Sequence, residues 1–558
     1  MSTIVTRSLT KKHVIILLLM ISLIAIPLKL YTVEFSLPVQ FDNLGYALDS
    51  MQYSEGDFFI PPKKNPGWPL FASPFMSLVN SENFLDYSNL MRTLSLGISV
   101  FTIFPMYILL RKFFNEKYSL VGAALFAFEP HLNYISAQGL SEPLFILLYI
   151  CSFLFILNKN SKIAIIGFMF AGFVWWVRLE GAILFISLSI IYLVNLRHSK
   201  HSIRNFMICI LIFLIVVSPM FLQRNAQYGE FFYMTYGGSI FVDEYSMVFA
   251  KNVQENDGSA LQYIEKRGIG QFVDKFIIGG ASYISEGLTK ISFPYLIILL
   301  IFGLILALRP VSQNHHYTRA NWIVMLTMIG VLLIPFSVIH ERRFLYPLYP
   351  FLIIFAVLPI QRLVEYGFST FSFSKKQKTI SLLIILSLVV ILSTLFTVGV
   401  GKYGYGQIDL EKENEKIEYA KFLVNELDGR MFAEEGTADY TRNIAITEDP
   451  NIFKNYKSSR IKDPHPDNYE PGKWVQISIH GKDLVDMINN GESYGLKYIA
   501  IPGHGSFHFE FLDDVYNNEK MYPYLEKVFD SNDQGFKKFH VKVFEINYEK
   551  FQKFILNE

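Results

Sequence analysis

The chain has 558 residues, of which 51% are hydrophobic and 18% charged, with a formal net charge of +1 and a mean hydropathy of +0.30. That composition excludes an ordinary soluble class, and so small a net charge gives no general attraction for nucleic acid. The two cysteines, Cys151 and Cys209, both fall inside apolar runs, so neither a disulfide framework nor a cysteine metal site is expected in the parts outside the membrane.

From the N-terminus, apolar stretches read at roughly 13–30, 89–110, 118–136, 142–157, 162–177, 179–196, 204–222, 290–308, 321–339, 344–360 and 379–400. These predict about eleven spans of the length a hydrocarbon core requires, and hence a mainly α, multi-pass membrane protein. The first has a basic start, but no small-x-small cleavage site follows Pro27-Leu28-Lys29-Leu30, so it reads as an uncleaved span. Alternate connections carry Arg7/Lys11/Lys12, Arg111/Lys112/Lys117, Lys159/Lys162, Arg197/Lys200/Arg204, Arg309/Arg319 and Arg362/Lys375/Lys376/Lys378. The positive-inside rule puts these in the cytoplasm, together with the N-terminus, and the expected location is the plasma membrane. The opposite mouth holds Asp42, Glu129, His131, Glu142, Arg178, Glu180, His340, Glu341, Arg342 and Arg343. Ionisable groups at span ends are expensive unless they face a polar cavity, so the working face is expected outside.

Two outer segments, 31–88 and 223–289, are too long for simple connectors. The first suggests amphipathic helices near 44–55 and 67–80, separated by a turn rich in Pro and Lys. From residue 402 the composition becomes that of a soluble domain. Helical patterns at 410–427, 480–490, 508–527 and 548–556 alternate with candidate strands at 430–434, 473–479, 496–502 and 538–546. The expectation is therefore a membrane domain over 1–401 and an extracytoplasmic α/β domain over 402–558.

Asp42 opens an amphipathic helix, where it reads either as an N-cap or as a carboxylate overlooking a cavity at the lipid boundary. Lys64, in Lys64-Asn65-Pro66-Gly67-Trp68, reads as a cation held near a lipid phosphate or as part of a structural turn with an interfacial tryptophan. Glu129 and His131, with Asp42 as a third ligand, would admit a divalent cation. In Trp175-Trp176-Val177-Arg178-Leu179-Glu180, the Arg and Glu either neutralise one another or orient a substrate, beside a Trp pair suited to an interfacial belt or a sugar. Arg342 and Arg343 face outward, where orientation does not require them, and their forked donors suit a phosphate at the outer leaflet. His504, His508 and Glu510 read as surface residues of a loop before they read as a metal site.

Taken in order, Asp-x-x-x-Tyr, Pro-Gly-Trp-Pro-Leu-Phe, Leu-Ser-Glu-Pro-Leu-Phe, Arg-Leu-Glu-Gly and Glu-Arg-Arg-Phe-Leu-Tyr-Pro-Leu-Tyr-Pro resemble the GT-C membrane glycosyltransferases over residues 1–400. The likeness is to the protein O-mannosyltransferases and lipid A aminoarabinose transferases (glycosyltransferase family 39-like), and more widely to oligosaccharyltransferase catalytic subunits. It implies a polyprenyl-phosphate-linked sugar donor, dolichyl or undecaprenyl, bound from the outer leaflet, and a lipid, glycan or protein acceptor. It also implies a catalytic role for Asp42 as general base in an inverting transfer. Lys64, Glu142, Arg178, Glu180, Arg342 and Arg343 then become candidate substrate-binding residues. No cofactor is required on this reading, although a divalent cation at Asp42, Glu129 and His131 is admitted. Two positions depart from the pattern: Asn43 stands where the mannosyl- and aminoarabinosyl-transferases carry a second acidic residue. Val177 follows Trp175-Trp176 where oligosaccharyltransferases carry Asp, which argues against transfer to Asn. The rival reading is a lipid or solute transporter, which would need charges at mid-membrane depth and broken helices.

Overall fold

The computed structural model of the protein describes residues 10–61, 64–79, 81, 83–158, 160–198, 201–232, 240–254, 259–308, 315–401, 404–433, 437–438, 440–441, 443–444, 475–503 and 509–556. Each of the eleven apolar stretches is helical, as the need to satisfy every backbone polar group inside lipid demands. Among the described residues, six helices are long and apolar enough to cross a membrane: Lys11–Leu30, Phe84–Leu110, Ser202–Tyr228, His316–Phe336, Arg342–Thr370 and Lys375–Thr397. A seventh candidate is the pair Ile269–Ile291 and Leu296–Leu308, bent by 118°. Glu142–Ile156, Ser161–Val177 and Gly181–Asn195 are apolar but shorter.

The stretch expected as a continuous span at 118–136 is instead two helices, Glu116–Ala127 and Pro130–Ser136. Pro130 favours a first helical position, and Glu129 caps the new helix by accepting from the Leu132 N–H at 2.7 Å. The helices enclose one apolar core, including Phe145, Tyr149, Phe153, Phe351 and Phe355. At the end carrying the basic connections, Arg319 donates to Asn195 at 2.5 Å and Phe113 packs on Tyr317 at 5.8 Å. The connections around Phe113, Asn195 and Tyr317 therefore share one end of the bundle.

Among the described residues, the C-terminal part contains five strands: β1 (Arg430–Ala433), β2 (Val475–Ile477), β3 (Leu496–Pro502), β4 (Leu525–Asp530) and β5 (Val541–Ile546). Their order is β2-β1-β3-β5-β4; β1 runs parallel to β2 and β3, and β5 runs antiparallel between β3 and β4. Helix Leu410–Glu426 covers one face through Tyr419 and Leu423. Leu484–Glu492, Phe511–Asn517 and Tyr548–Ile555 cover the other. The helical pattern expected over 508–527 is thus a short helix followed by a strand. This unit touches the two long connecting segments, where Asn443 donates to the Val39 carbonyl at 2.8 Å and where Asn252 and His480 exchange two bonds, at 2.9 and 3.1 Å.

Candidate active site

Helix Phe41–Ser54 begins with strain: Phe41 has φ of +50°, a left-handed conformation unfavourable for a bulky residue and typical of sites where the chain must aim a side chain. The N-cap is Gln40, so Asp42 lies in the first turn and does not cap the helix. Its two oxygens go instead to two cations. Oδ1 pairs with Lys64 Nζ at 2.9 Å and Oδ2 with Arg343 Nη1 at 2.7 Å. Lys64 also donates to the Asp42 carbonyl at 3.0 Å and lies 4.8 Å from the centre of the Tyr46 ring. Arg343 pairs with Glu341 as well. Burial alone would push the Asp42 carboxyl up; Lys64 and Arg343 outweigh it and hold the group well below the usual carboxylate range. Burial, reinforced by the Asp42 charge, pushes the Tyr46 hydroxyl up, so it remains a donor.

Lys64 is fixed by its neighbours. Asn65 donates to the Trp175 carbonyl at 2.5 Å and accepts from the buried Arg224 at 2.8 Å; Arg224 also donates to the Lys64 carbonyl at 3.3 Å. Trp68 is wholly buried and donates to the Gly139 carbonyl at 2.9 Å. A Cβ at Gly67 would fall 2.5 Å from the Trp176 carbonyl carbon, so only glycine lets this turn meet the end of helix Ser161–Val177 so closely.

The same helix end delivers Arg178. Its Nη1 donates to Glu142 at 2.7 Å, and its Nε and Nη2 donate to Glu180 at 3.0 and 2.8 Å. The guanidinium lies 5.5 Å from the ring centre of Phe344, the residue after Arg343, and Glu142 acts electrostatically on Arg343. The two groups of charges thus form one cluster. Glu142 is buried, and its Oε2 has no hydrogen-bond partner among the described residues. Trp176 donates to the Val216 carbonyl at 2.7 Å and Trp175 packs on Phe213 and Phe221, so the Trp pair joins helices here.

Six of the seven candidate catalytic and substrate-binding residues meet: Asp42, Lys64, Glu142, Arg178, Glu180 and Arg343. Arg342 turns the other way, towards Glu286, His131 and Tyr346, on which it acts electrostatically. The candidate metal set of Asp42, Glu129 and His131 does not form. Glu129 caps its helix, His131 bonds Tyr405 and lies 3.2 Å from the Lys290 carbonyl, and both Asp42 oxygens face cations. Among the described residues no group of three His, Cys, Asp or Glu could hold a metal ion. His504 and His508 lie outside the described residues. Two supporting residues escaped the sequence reading. Arg224 is a guanidinium near the end of the apolar helix Ser202–Tyr228, and Lys29 is a lysine in the last turn of the first span. Lys29 is buried and donates to Ser99 at 2.9 Å and Asn133 at 2.8 Å.

Residues 281–421, which include Arg342 and Arg343, match the Alg9-like mannosyltransferase family model. In fold the chain is similar to the Archaeoglobus fulgidus oligosaccharyltransferase in its apo form, with a TM-score of 0.53 and 11% identity, covering 93% of this chain and 73% of that one. The same archaeal enzyme, AglB, in complex with an inhibitory peptide and a dolichol-phosphate, gives a TM-score of 0.50 and 11% identity over 88% and 70%. ArnT from Cupriavidus metallidurans, bound to undecaprenyl phosphate, gives 0.49 and 12% over 96% and 98%. No curated protein matches the sequence. The fold is that of the GT-C membrane glycosyltransferases, and with the partial family match it supports a glycosyltransferase.

Proposed function

We propose that the protein transfers one sugar from a polyprenyl-phosphate-linked donor to an acceptor hydroxyl at the outer membrane face, with inversion at the anomeric carbon. The observation that carries this reading is a single carboxylate, Asp42, held between Lys64 and Arg343. Two cations converging on one point suit a phosphate as well as a carboxylate. The dolichol-phosphate in the oligosaccharyltransferase of the same fold supports that donor class.

On entry, the donor phosphate competes with Asp42 for Arg343 and Lys64. The carboxylate then loses the charges that depress its basicity and becomes a better proton acceptor only when donor is present. The acceptor hydroxyl loses its proton to Asp42 as its oxygen bonds to the anomeric carbon. The bond from that carbon to the phosphate oxygen breaks on the opposite side. The departing polyprenyl phosphate takes the electron pair, and Lys64 and Arg343 stabilise its charge. Glu142 Oε2, a buried acceptor with no partner among the described residues, takes a hydroxyl of the donor sugar, and Arg178 holds Glu142 in place. Asp42, Glu129 and His131 do not converge on a divalent metal, and no step here uses one.

The test is incubation of the purified protein with a panel of radiolabelled polyprenyl-phosphate sugars and membrane-derived acceptors. Loss of label from at least one lipid, with the label recovered on an acceptor in inverted linkage, is expected. Stable label across the whole panel would overturn the reading.

A further inference from the structure

We infer that the C-terminal unit aims the base: Asn443 and Glu413 hold the turn that leads into Asp42, which makes both of them positioning residues. The inference rests on the glycosyl-transfer reading above. The residues before Asp42 are held largely through their backbone, and from two sides. On the membrane side, helix Phe84–Leu110 supplies the bonds. Asn89 donates to the Phe35 carbonyl at 3.0 Å, Arg92 donates to the Leu37 carbonyl at 2.6 Å, and Ser88 accepts from the Val39 N–H at 3.4 Å. The other side is the C-terminal unit. Asn443 donates to the Val39 carbonyl at 2.8 Å, and Glu413 accepts from the Gln40 side chain at 3.4 Å. Both backbone groups of Val39 are therefore engaged, one on each side, just ahead of Asp42.

One helix organises both C-terminal contacts. Glu413, Ile417 and Ala420 follow the i, i+4, i+7 spacing of a single face of helix Leu410–Glu426. Ala420 and Ile417 pack with Tyr440 and Ile444, which seats the turn that presents Asn443. Asn443 is itself wholly buried. Contact between two units needs only apolar groups, and a buried amide costs free energy unless it is bonded. Its donor goes to the chain entering the site, so this position supplies a directional bond and not merely bulk.

The turn needs such a hold. Phe41 has φ of +50° and its side chain is 63% exposed, so its own ring does little to fix the conformation. A strained residue of this kind persists only where its surroundings determine it. Upstream, those surroundings are the contacts of Val39 and Gln40. Downstream, the Gln40 carbonyl accepts from the Asn43 N–H at 3.0 Å, and Asn43 donates to the Gln138 carbonyl at 2.6 Å. Between these anchors Asp42 reaches Lys64 and Arg343. Releasing the C-terminal side lets Phe41 relax to ordinary backbone and swings the carboxylate away from both cations.

The experiment is a set of double-mutant cycles on the full chain in nanodiscs. Asn443→Leu keeps bulk and removes the donor, and Glu413→Ala removes the acceptor at a half-buried position. Each is combined with Asp42→Asn. Thermal melting, which needs no substrate, is the first readout. Asp42→Asn should lower the melting temperature of the parent, and the drop should shrink by about half or more in either variant, since contacts within one network do not add. Lys550→Ala, which breaks an ion pair with Glu526 on the edge strand β4, should leave the full drop. Turnover is the second readout. Each variant should lower kcat about tenfold, the consequence of a small misplacement, with lipid-phosphate affinity no weaker. Added to Asp42→Asn, neither should reduce turnover further. No drop in the parent, or an equal drop in the parent and both variants, would overturn the inference, as would turnover losses that multiply. A parent that releases sugar from no lipid donor would sink the transfer reading, and the melting cycles would still decide whether the C-terminal unit holds Asp42.

Discussion

Asp42 carries opposing demands: its neighbours depress its basicity, yet the proposed reaction needs a base. Replacing it with Asn separates the two, because Asn keeps the size but neither accepts a proton nor neutralises Lys64 and Arg343. Turnover is expected to fall about a hundredfold or more, as loss of a general base implies. Affinity for polyprenyl phosphate, measured on the same preparation, should hold or rise because both cations are released. Weaker lipid-phosphate binding in Asp42→Asn would sink the exchange of phosphate for carboxylate. The same pair predicts a pH dependence. A folded-state pKa below the unfolded one stabilises fully above the unfolded value, about 4, and the stabilisation is lost as pH falls towards the folded value. The thermal-stability gap between parent and Asp42→Asn should therefore stay flat from pH 7 to 5 and shrink below about 4. The two arginines give a second contrast. Arg343→Lys keeps charge without the fork and Arg343→Ala removes both, so donor affinity should fall in that order, and Arg342→Ala should weaken it less than Arg343→Ala. Equal losses at 342 and 343 in a titration with lipid phosphate would contradict the opposite orientations of the pair. Sequence alone marked both arginines for the same reason, their cost at an outer span end. Which of two adjacent side chains turns inward is decided by the 3-10 turn, and no pattern in the residues announces that.

At the scale of elements, the site depends on where one turn meets one helix end. Gly67 brings Lys64 up to Trp176, and Gly181 packs on the Trp175 backbone, with a Cβ there only 2.3 Å from its nitrogen. Gly67→Ala should force the turn away from the helix, at a cost of about 1–3 kcal/mol, the usual scale for overpacking. A lowered melting temperature with weakened lipid-phosphate binding is expected; a parent-like value for both would show that Lys64 does not depend on this contact. The helices themselves were legible, because in lipid a run of apolar residues has almost no alternative to helix. The break at Glu129-Pro130 carried its own signal, a capping residue followed by proline, inside a stretch whose hydropathy hid it. Strand β4 was harder to see. Its register shifts between Lys527 and Phe529, and Glu526, Lys527 and Val528 are exposed in succession, so the alternation that identifies a half-buried strand is lost. The parallel strands β1 and β3, covered on both faces, kept their apolar runs.

For the whole molecule, the two ends of the bundle differ in kind. At one end the connections carrying Arg111 and Arg319 meet: Arg319 bonds Asn195, and Arg111 bonds the Phe114 carbonyl and lies 3.9 Å from Glu116. At the other end cations and carboxylates neutralise each other in one cluster that joins five segments of the chain, through Asp42, Lys64, Glu142, Arg178 and Arg343. A transporter would place such a cluster at mid-depth, whereas these residues belong to helix ends and connections. We propose that the basic end faces the cytoplasm, by the positive-inside rule, and that the sheet-bearing C-terminal part lies on the opposite side with the site. Lys376 and Lys520 are exposed and test this without touching the cluster. The native cysteines lie within apolar helices, Cys209 fully buried and Cys151 partly, so their background reaction is small. In intact cells an impermeant thiol reagent should label Lys520→Cys and spare Lys376→Cys until the membrane is opened. Labelling at 376 with protection at 520 would invert the molecule. Donor would then have to reach Asp42 from the cytoplasmic leaflet, and the outer-face reaction would be lost even if every residue role survived.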